Sequence, residues 1–268
     1  MSVKKVSFMS LTFVYALVFC FLTLCTGIKV EASSQYVTDS SIEKSKKVNG
    51  VTISCKQNYP DNEDGGYNST YTLTMKKGNK TAVVTQDSTH SFATNGKVIY
   101  YAERTREVSE ESYWNTIYKY DFSSGKQTKL VAGSEYKVAA CNGKYLYYGE
   151  DRVADGMKLY CMNLKTKKKK YMRAGVGQIL FCGKYVVVDT NAGDVDNYPI
   201  HLFGVDGKKK RKIANGILIR AKKNKIYYAR VNLKNYRYKV YRYTIKKKKK
   251  VTVTKWVKVI PSKYYAAK

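Results

Sequence analysis

The sequence predicts an all-β fold, a five-bladed β-propeller of four-stranded antiparallel blades, and three observations carry that prediction. One string recurs along the chain: "NGKVIYYAE" at 95–103, "NGKYLYYGE" at 142–150, "CGKYVVVDT" at 182–190 and "KNKIYYARV" at 223–231. A second string follows each copy: "IYKYDFSSGKQTKLV" at 117–131, "LYCMNLKTKKKKYM" at 159–172, "IHLFGVDGKKKRKI" at 200–213 and "VYRYTIKKKKKVTV" at 240–253. The runs are also apolar on both sides. In "KYLYY", Tyr145 and Tyr147 point one way and Leu146 and Tyr148 the other. A strand of that kind needs cover on both faces.

The lysines that follow the first turn, Lys97, Lys144, Lys184 and Lys225, are 47, 40 and 41 residues apart. Radially stacked blades cover both faces of each sheet, and a period near forty with four strands per unit is the signature of such a stack. No apolar period of 3.6 runs through any copy, which excludes helical and leucine-rich repeats.

Taken in order, residues 1–32 read as a signal peptide. Lys4 and Lys5 precede an apolar stretch from Val6 to Gly27, and "VEA" ends at Ala32. The stretch is also long enough to serve as an uncleaved anchor. In either case the rest of the chain lies outside the cytoplasm, which argues against a nucleic-acid role. Residues 33–48 form a linker and 49–268 the propeller. Its blades span 49–85, 88–131, 135–173, 177–214 and 217–254, and residues 255–268 are expected to close the ring against the first blade. That first blade is a fainter copy, "NGVTISCKQ" then "YTLTMKKGNKTAVV". Asn-Gly between apolar runs is a hairpin signal, because both residues tolerate positive φ.

Charge is uneven. The net charge is +30, and from residue 207 onward there are 23 Lys or Arg and no Asp or Glu. Such a surface attracts nucleic acid, teichoic acid, anionic lipid or acidic polysaccharide. In a four-stranded antiparallel blade the first and third turns share one end. Lysine runs fall at third turns, so Lys167, Lys168, Lys169, Lys170, Lys208, Lys209, Lys210, Arg211, Lys246, Lys247, Lys248, Lys249 and Lys250 are expected to crowd one face as polyanion contacts. The second-turn loops, 59–68, 103–115, 150–156 and 189–199, hold 13 of the 20 acidic residues. Their aromatic residues Tyr113, Trp114 and Tyr198, with Tyr236 of the basic fifth loop, are candidates for sugar stacking or protein contact.

Catalytic chemistry is sparse. His90 and His201 are the only histidines, so a His-rich metal site is excluded. Glu135 is the only acid on the inner strands, so a glycosidase pair would have to come from the outer loops. Asp189, Asn191, Asp194 and Asp196 are spaced like oxygen ligands for calcium, without the EF-hand glycine or terminal glutamate, and no other cofactor is indicated. Cys55, Cys141, Cys161 and Cys182 are too few for a disulfide scaffold; they read as buried thiols, with a Cys141–Cys182 bridge as the alternative.

The Gly-Lys turn, the "YLYY" or "VIYY" run, the "LYCMNL" or "IYKYD" run and the lysine-rich turn together resemble TolB-like and YWTD-type propeller repeats. They resemble more closely the propeller domains, of unassigned function, in secreted proteins of Gram-positive, clostridia-like bacteria. The resemblance spans residues 49–253, implies the fold, and brings no catalytic residue, since the Tyr-Trp-Thr-Asp string itself is missing. The expectation is therefore an exported, non-enzymatic binding module. Its lysine face would meet anionic cell-wall polymer and its opposite loops a protein or glycan. The alternatives are a carbohydrate-active enzyme using loop carboxylates and a structural or regulatory propeller.

Overall fold

A computed structural model describes residues 45–58, 70–109, 112–152, 156–190 and 197–264, apart from the side chains of 90, 107–109, 112, 151 and 152. The signal peptide and most of the linker lie outside the described residues. The described chain is all-β and antiparallel, in two seven-stranded sheets and one four-stranded sheet, within each of which the strands pair in sequence order. The first four-stranded unit is β1 (Lys46–Val48), β2 (Val51–Asn58), β3 (Thr70–Lys77) and the first half of β4 (Lys80–Thr94). The second half of β4 opens the next unit, followed by β5 (Val98–Ser109), β6 (Ser112–Asp121) and β7 (Gln127–Ser134). The third has β8 (Tyr136–Cys141), β9 (Tyr145–Arg152), β10 (Gly156–Asn163) and the first half of β11 (Lys169–Cys182). The fourth takes the rest of β11 with β12 (Tyr185–Thr190), β13 (Pro199–Gly204) and β14 (Arg211–Asn215). The fifth is β15 (Ile217–Lys222), β16 (Lys225–Asn232), β17 (Arg237–Thr244) and β18 (Lys249–Thr252).

The two long strands are each shared by consecutive units, and their pairing slips register at the corner, between Ser88 and Phe92 and between Val176 and Ile179. Alternation along each second strand then decides the core. Ile99 and Tyr101 pack on the first unit, while Tyr100 and Ala102 pack on the third. Leu146 and Tyr148 face back and Tyr145 and Tyr147 forward, as the sequence pattern requires. Tyr101, Tyr147, Tyr148 and Tyr228 are fully buried, so each interface is filled by large aromatic side chains.

The stack ends differently at its two sides. The face of the first unit turned away from the second carries Thr52, Ser54, Lys56, Thr72, Thr74 and Lys76, a polar surface with no apolar layer to cover. The corresponding face of the fifth unit is apolar (Ile219, Ala229, Val240) and is covered by the chain's own Ile260, Val253 and Tyr264. Val257 exchanges backbone hydrogen bonds with Tyr238, at 2.8 and 2.9 Å. The described part of 255–268, expected to close the ring, thus takes its backbone partner from the fifth unit. Among the described residues no apolar cluster joins the fifth unit to the first.

One local expectation needs correction. At Asn49-Gly50 both residues do sit at positive φ, 48° and 80°, between paired Val48 and Val51, but Asn95-Gly96 and Asn142-Gly143 work differently. Gly96 and Gly143 adopt φ of 82° and 83°, but Asn95 and Asn142 act through their carboxamides. The Asn95 Oδ1 accepts from the backbone N–H of Lys97 and Val98, and Asn142 does the same for Lys144 and Tyr145. The fifth unit uses a tighter loop instead, with Lys223 and Asn224 both at positive φ between paired Lys222 and Lys225.

Candidate functional site

A repeated backbone bond builds the lysine-bearing end. The N–H of Phe122, Leu164, Val205 and Ile245, opening the third turns, donates to the carbonyls of Lys97, Lys144, Lys184 and Asn224 in the first turns. First and third turns therefore lie together in four units. The bonds also set the alignment straight, since Asn224 rather than Lys225 occupies the slot of the other three lysines. Lys167–Lys170, Lys208–Lys210 and Lys246–Lys250 are exposed at this end, and Arg211 is half-buried with its guanidinium 5.8 Å from the Tyr243 ring centre. Lys169 and Lys170 belong to β11, paired with Met162 and Cys161, so they flank the turn rather than form it. Lys167 and Lys248 hold φ of 59° and 48°, the left-handed conformation that Gly125 adopts in the second unit.

At the same end the fifth unit has a pocket of about 280 Å³ lined by Arg220, Lys222, Lys223, Lys225, Tyr227, Lys263 and Tyr264. Five of the seven lining residues are cationic and none is acidic. The two tyrosine rings stand 6.2 Å apart at 34°, and the Lys263 Nζ lies 5.4 Å from the Tyr264 ring centre. Sequence reasoning picked out only Lys225 here. The pocket exists because residues 262–264 fold back onto the β15–β16 hairpin, held by Ile260 and Tyr264 of the lysine-bearing tail.

The second-turn end presents fewer of its candidates than expected. Tyr113 is buried, with the Arg104 guanidinium 3.5 Å from its ring centre. Trp114 is 43% exposed and Tyr236 70%, so those two face solvent, while Tyr198 is half-buried. Glu103, first residue of the 103–115 loop segment, has its carboxyl pushed up by burial and by the Asp87 charge, against a hydrogen bond from Thr85. Thr85 also accepts from the Asp87 N–H at 3.1 Å. The Thr85 hydroxyl thus links the Glu103 carboxyl to the Asp87 backbone, with the Asp87 charge near enough to raise Glu103.

Asp189, expected as a calcium ligand, is buried. Its Oδ1 accepts from the Gln178 N–H at 2.7 Å and its Oδ2 from the Leu218 N–H at 3.4 Å, which ties the fourth unit to the fifth. Asn191, Asp194 and Asp196 lie outside the described residues, as does the His90 side chain. Among the described residues no three His, Cys, Asp or Glu side chains gather as a metal site requires. The described cysteines, Cys55, Cys141, Cys161 and Cys182, are all thiols. Cys141 and Cys182 belong to different inter-unit cores, and that separation removes the bridge. Burial pushes the Cys55 and Cys161 thiols up to about 11 and about 12, which leaves them poor nucleophiles.

No protein-family pattern matches the chain, and no curated protein matches it in sequence. Solved structures do share its fold. The propeller domain of the Trilobed protease from Pyrococcus furiosus, described as having an open velcro topology, aligns with a TM-score of 0.54 at 12% identity, over 82% of this chain and 72% of that one. A prolyl endopeptidase aligns at 0.52 and 14% identity, over 84% and 36%. An oligogalacturonate lyase in complex with manganese aligns at 0.50 and 9% identity, over 75% and 61%. The chain thus spans about a third of the peptidase and three-fifths of the lyase. At these identities the likeness establishes the fold, a β-propeller. It also overturns the expectation of a non-enzymatic module, because the structures that share the fold are mostly peptidases and lyases. Glu135 was the only acid expected on the inner strands, whereas Glu103 stands on β5, in the 103–115 segment from which a carboxylate pair was expected to come.

Proposed function

We propose that this chain is an exported carbohydrate-active enzyme acting on an anionic glycan or wall polymer. The cationic, tyrosine-walled pocket carries the reading. An acidic sugar offers a carboxylate to Arg220 and the lysines and a ring face to Tyr227 and Tyr264, and every lining residue has a use in that contact. The signal-peptide pattern and the resemblance to propeller domains of secreted Gram-positive proteins support export. The lysine-rich turns support capture of a polyanion, with counterion release giving salt-sensitive affinity. The propeller-bearing lyase named above works on oligogalacturonate, itself a polyanionic sugar.

The reaction that suits such a pocket is β-elimination. Neutralising the uronate carboxylate with Arg220 and Lys222 acidifies the adjacent C5 proton, which a tyrosine or lysine then removes. The C4–O bond to the leaving sugar breaks, C4 and C5 become doubly bonded, and the leaving oxygen takes up a proton. A second reading rests on Glu103 of β5 and Asp87 of β4: hydrolysis by a carboxylate pair, with the raised Glu103 as general acid.

Incubation with polygalacturonate, alginate, teichoic acid and a neutral glucan tests both. Ultraviolet absorbance of an unsaturated product, lost in Tyr227→Phe or Tyr264→Phe, is expected for elimination. New reducing ends without that absorbance, lost in Glu103→Gln, would favour hydrolysis. No turnover of any acidic polymer would sink the proposal.

A further inference from the structure

The pocket draws on two stretches far apart in the chain. The β15–β16 hairpin supplies Arg220, Lys222, Lys223, Lys225 and Tyr227, and the segment after β18 supplies Lys263 and Tyr264. That segment is anchored by the Val257–Tyr238 bridge and by Ile260, buried against Ile219, Ala229 and Val240. Beyond Ile260 a single 3-10 turn, Ser262–Tyr264, with the Tyr264 N–H on the Pro261 carbonyl at 3.0 Å, lays Tyr264 beside Tyr227.

Two forces act on this last turn in opposite directions. Ile260 and Tyr264 draw it onto the sheet through apolar and ring contact. Lys263 brings a fifth positive charge to four already on the hairpin, and like charges at a surface repel over roughly 10 Å at moderate salt. An anion seated among them turns that repulsion into shared attraction.

We propose that the pocket is a binding site for a carboxylate-bearing sugar which the C-terminal segment completes, so that ligand binding and the seating of residues 258–264 are coupled. The identity of the ligand rests on the acidic-glycan reading above; the coupling does not depend on turnover. Coupling is reciprocal: whatever the seated segment adds to ligand affinity, the ligand adds to the seating of the segment.

The intact chain tests this with titration calorimetry and hydrogen exchange of the 255–264 peptide. The probes are trigalacturonate, a neutral galactotriose and inorganic sulfate. Trigalacturonate is expected to bind and to slow exchange by at least about 5-fold, with a weaker effect from sulfate and none from the neutral sugar. Raising salt without ligand should also slow exchange, by screening the repulsion, while weakening trigalacturonate binding. Lys263→Glu should seat the segment without ligand and bind the trisaccharide less well. Tyr264→Ala should weaken binding while leaving exchange in β16 unchanged. Binding with unaltered exchange would overturn the coupling. Absence of binding would overturn the site, even if the enzyme turned over polymer elsewhere. An equal effect from sulfate would overturn the sugar assignment. Binding and coupling without any product would refute only the catalytic reading.

Discussion

The Arg173 Nη1 lies 3.3 Å from the His201 Nε2, across the seam between the third and fourth units. A guanidinium has no lone pair to offer, so the ring nitrogen must be the acceptor and the imidazole neutral. Burial, then the Arg173 charge, then Lys210 push the His201 pKa from 6.5 down to about 4. Between those values the unfolded chain binds a proton that the folded chain refuses. Stability is therefore expected to be full above about pH 6.5 and to fall as pH drops toward 4. Thermal unfolding across that window should show a slope that His201→Gln flattens. Equal slopes in the two proteins would refute the assignment.

Asp189 bridges units through two backbone N–H groups, those of Gln178 and Leu218. Asp189→Ala leaves the buried Leu218 donor and the part-buried Gln178 donor without their acceptor, at a cost of about 2–4 kcal/mol. Asp189→Asn keeps the shape but turns an amide N–H toward one of them, at about 1–3 kcal/mol. Urea denaturation measures both. A change under about 0.5 kcal/mol for Asp189→Ala, the range of ordinary surface substitutions, would show that the bridge contributes little.

Lys167 and Lys248 occupy left-handed turn positions where glycine is unstrained. Lys167→Gly and Lys248→Gly are each expected to raise stability by about 0.5–1 kcal/mol. Lys165→Gly, which removes the same charge outside the left-handed region, should not. If all three behave alike, charge repulsion rather than backbone strain is the cause.

If Glu103 serves as a general acid, activity falls as pH rises through its pKa. Asp87 helps to hold that pKa up. Asp87→Asn should therefore shift the alkaline limb of the pH–rate profile to lower pH while leaving the protein folded. A limb that stays in place would remove Glu103 from the chemistry.

The strands and their facing were legible in the sequence because both depend on period-two alternation, which is written into consecutive residues. "KYLYY" states its two interfaces before any neighbour is known. The shared end of first and third turns was legible for the same reason, since antiparallel pairing leaves no other arrangement. The use made of Asn-Gly was not, because an asparagine can serve a turn by its φ or by its carboxamide, and only the loop length decides which. Asp189 shows the limit most clearly. Its spacing with Asn191, Asp194 and Asp196 suggested a cation, while its oxygens are taken by amides, one of them from the next unit.

The sequence by itself determined an all-β repeat, its lysine-bearing turns and the cover each strand needs, because these follow from local alternation and a constant period. Only the tertiary structure decided that the fifth unit is covered by its own tail, that Tyr264 stands beside Tyr227, and that Glu103 feels the Asp87 charge. Those contacts join residues from different units or distant segments, and their formation depends on how whole sheets stack, which no short stretch of sequence encodes.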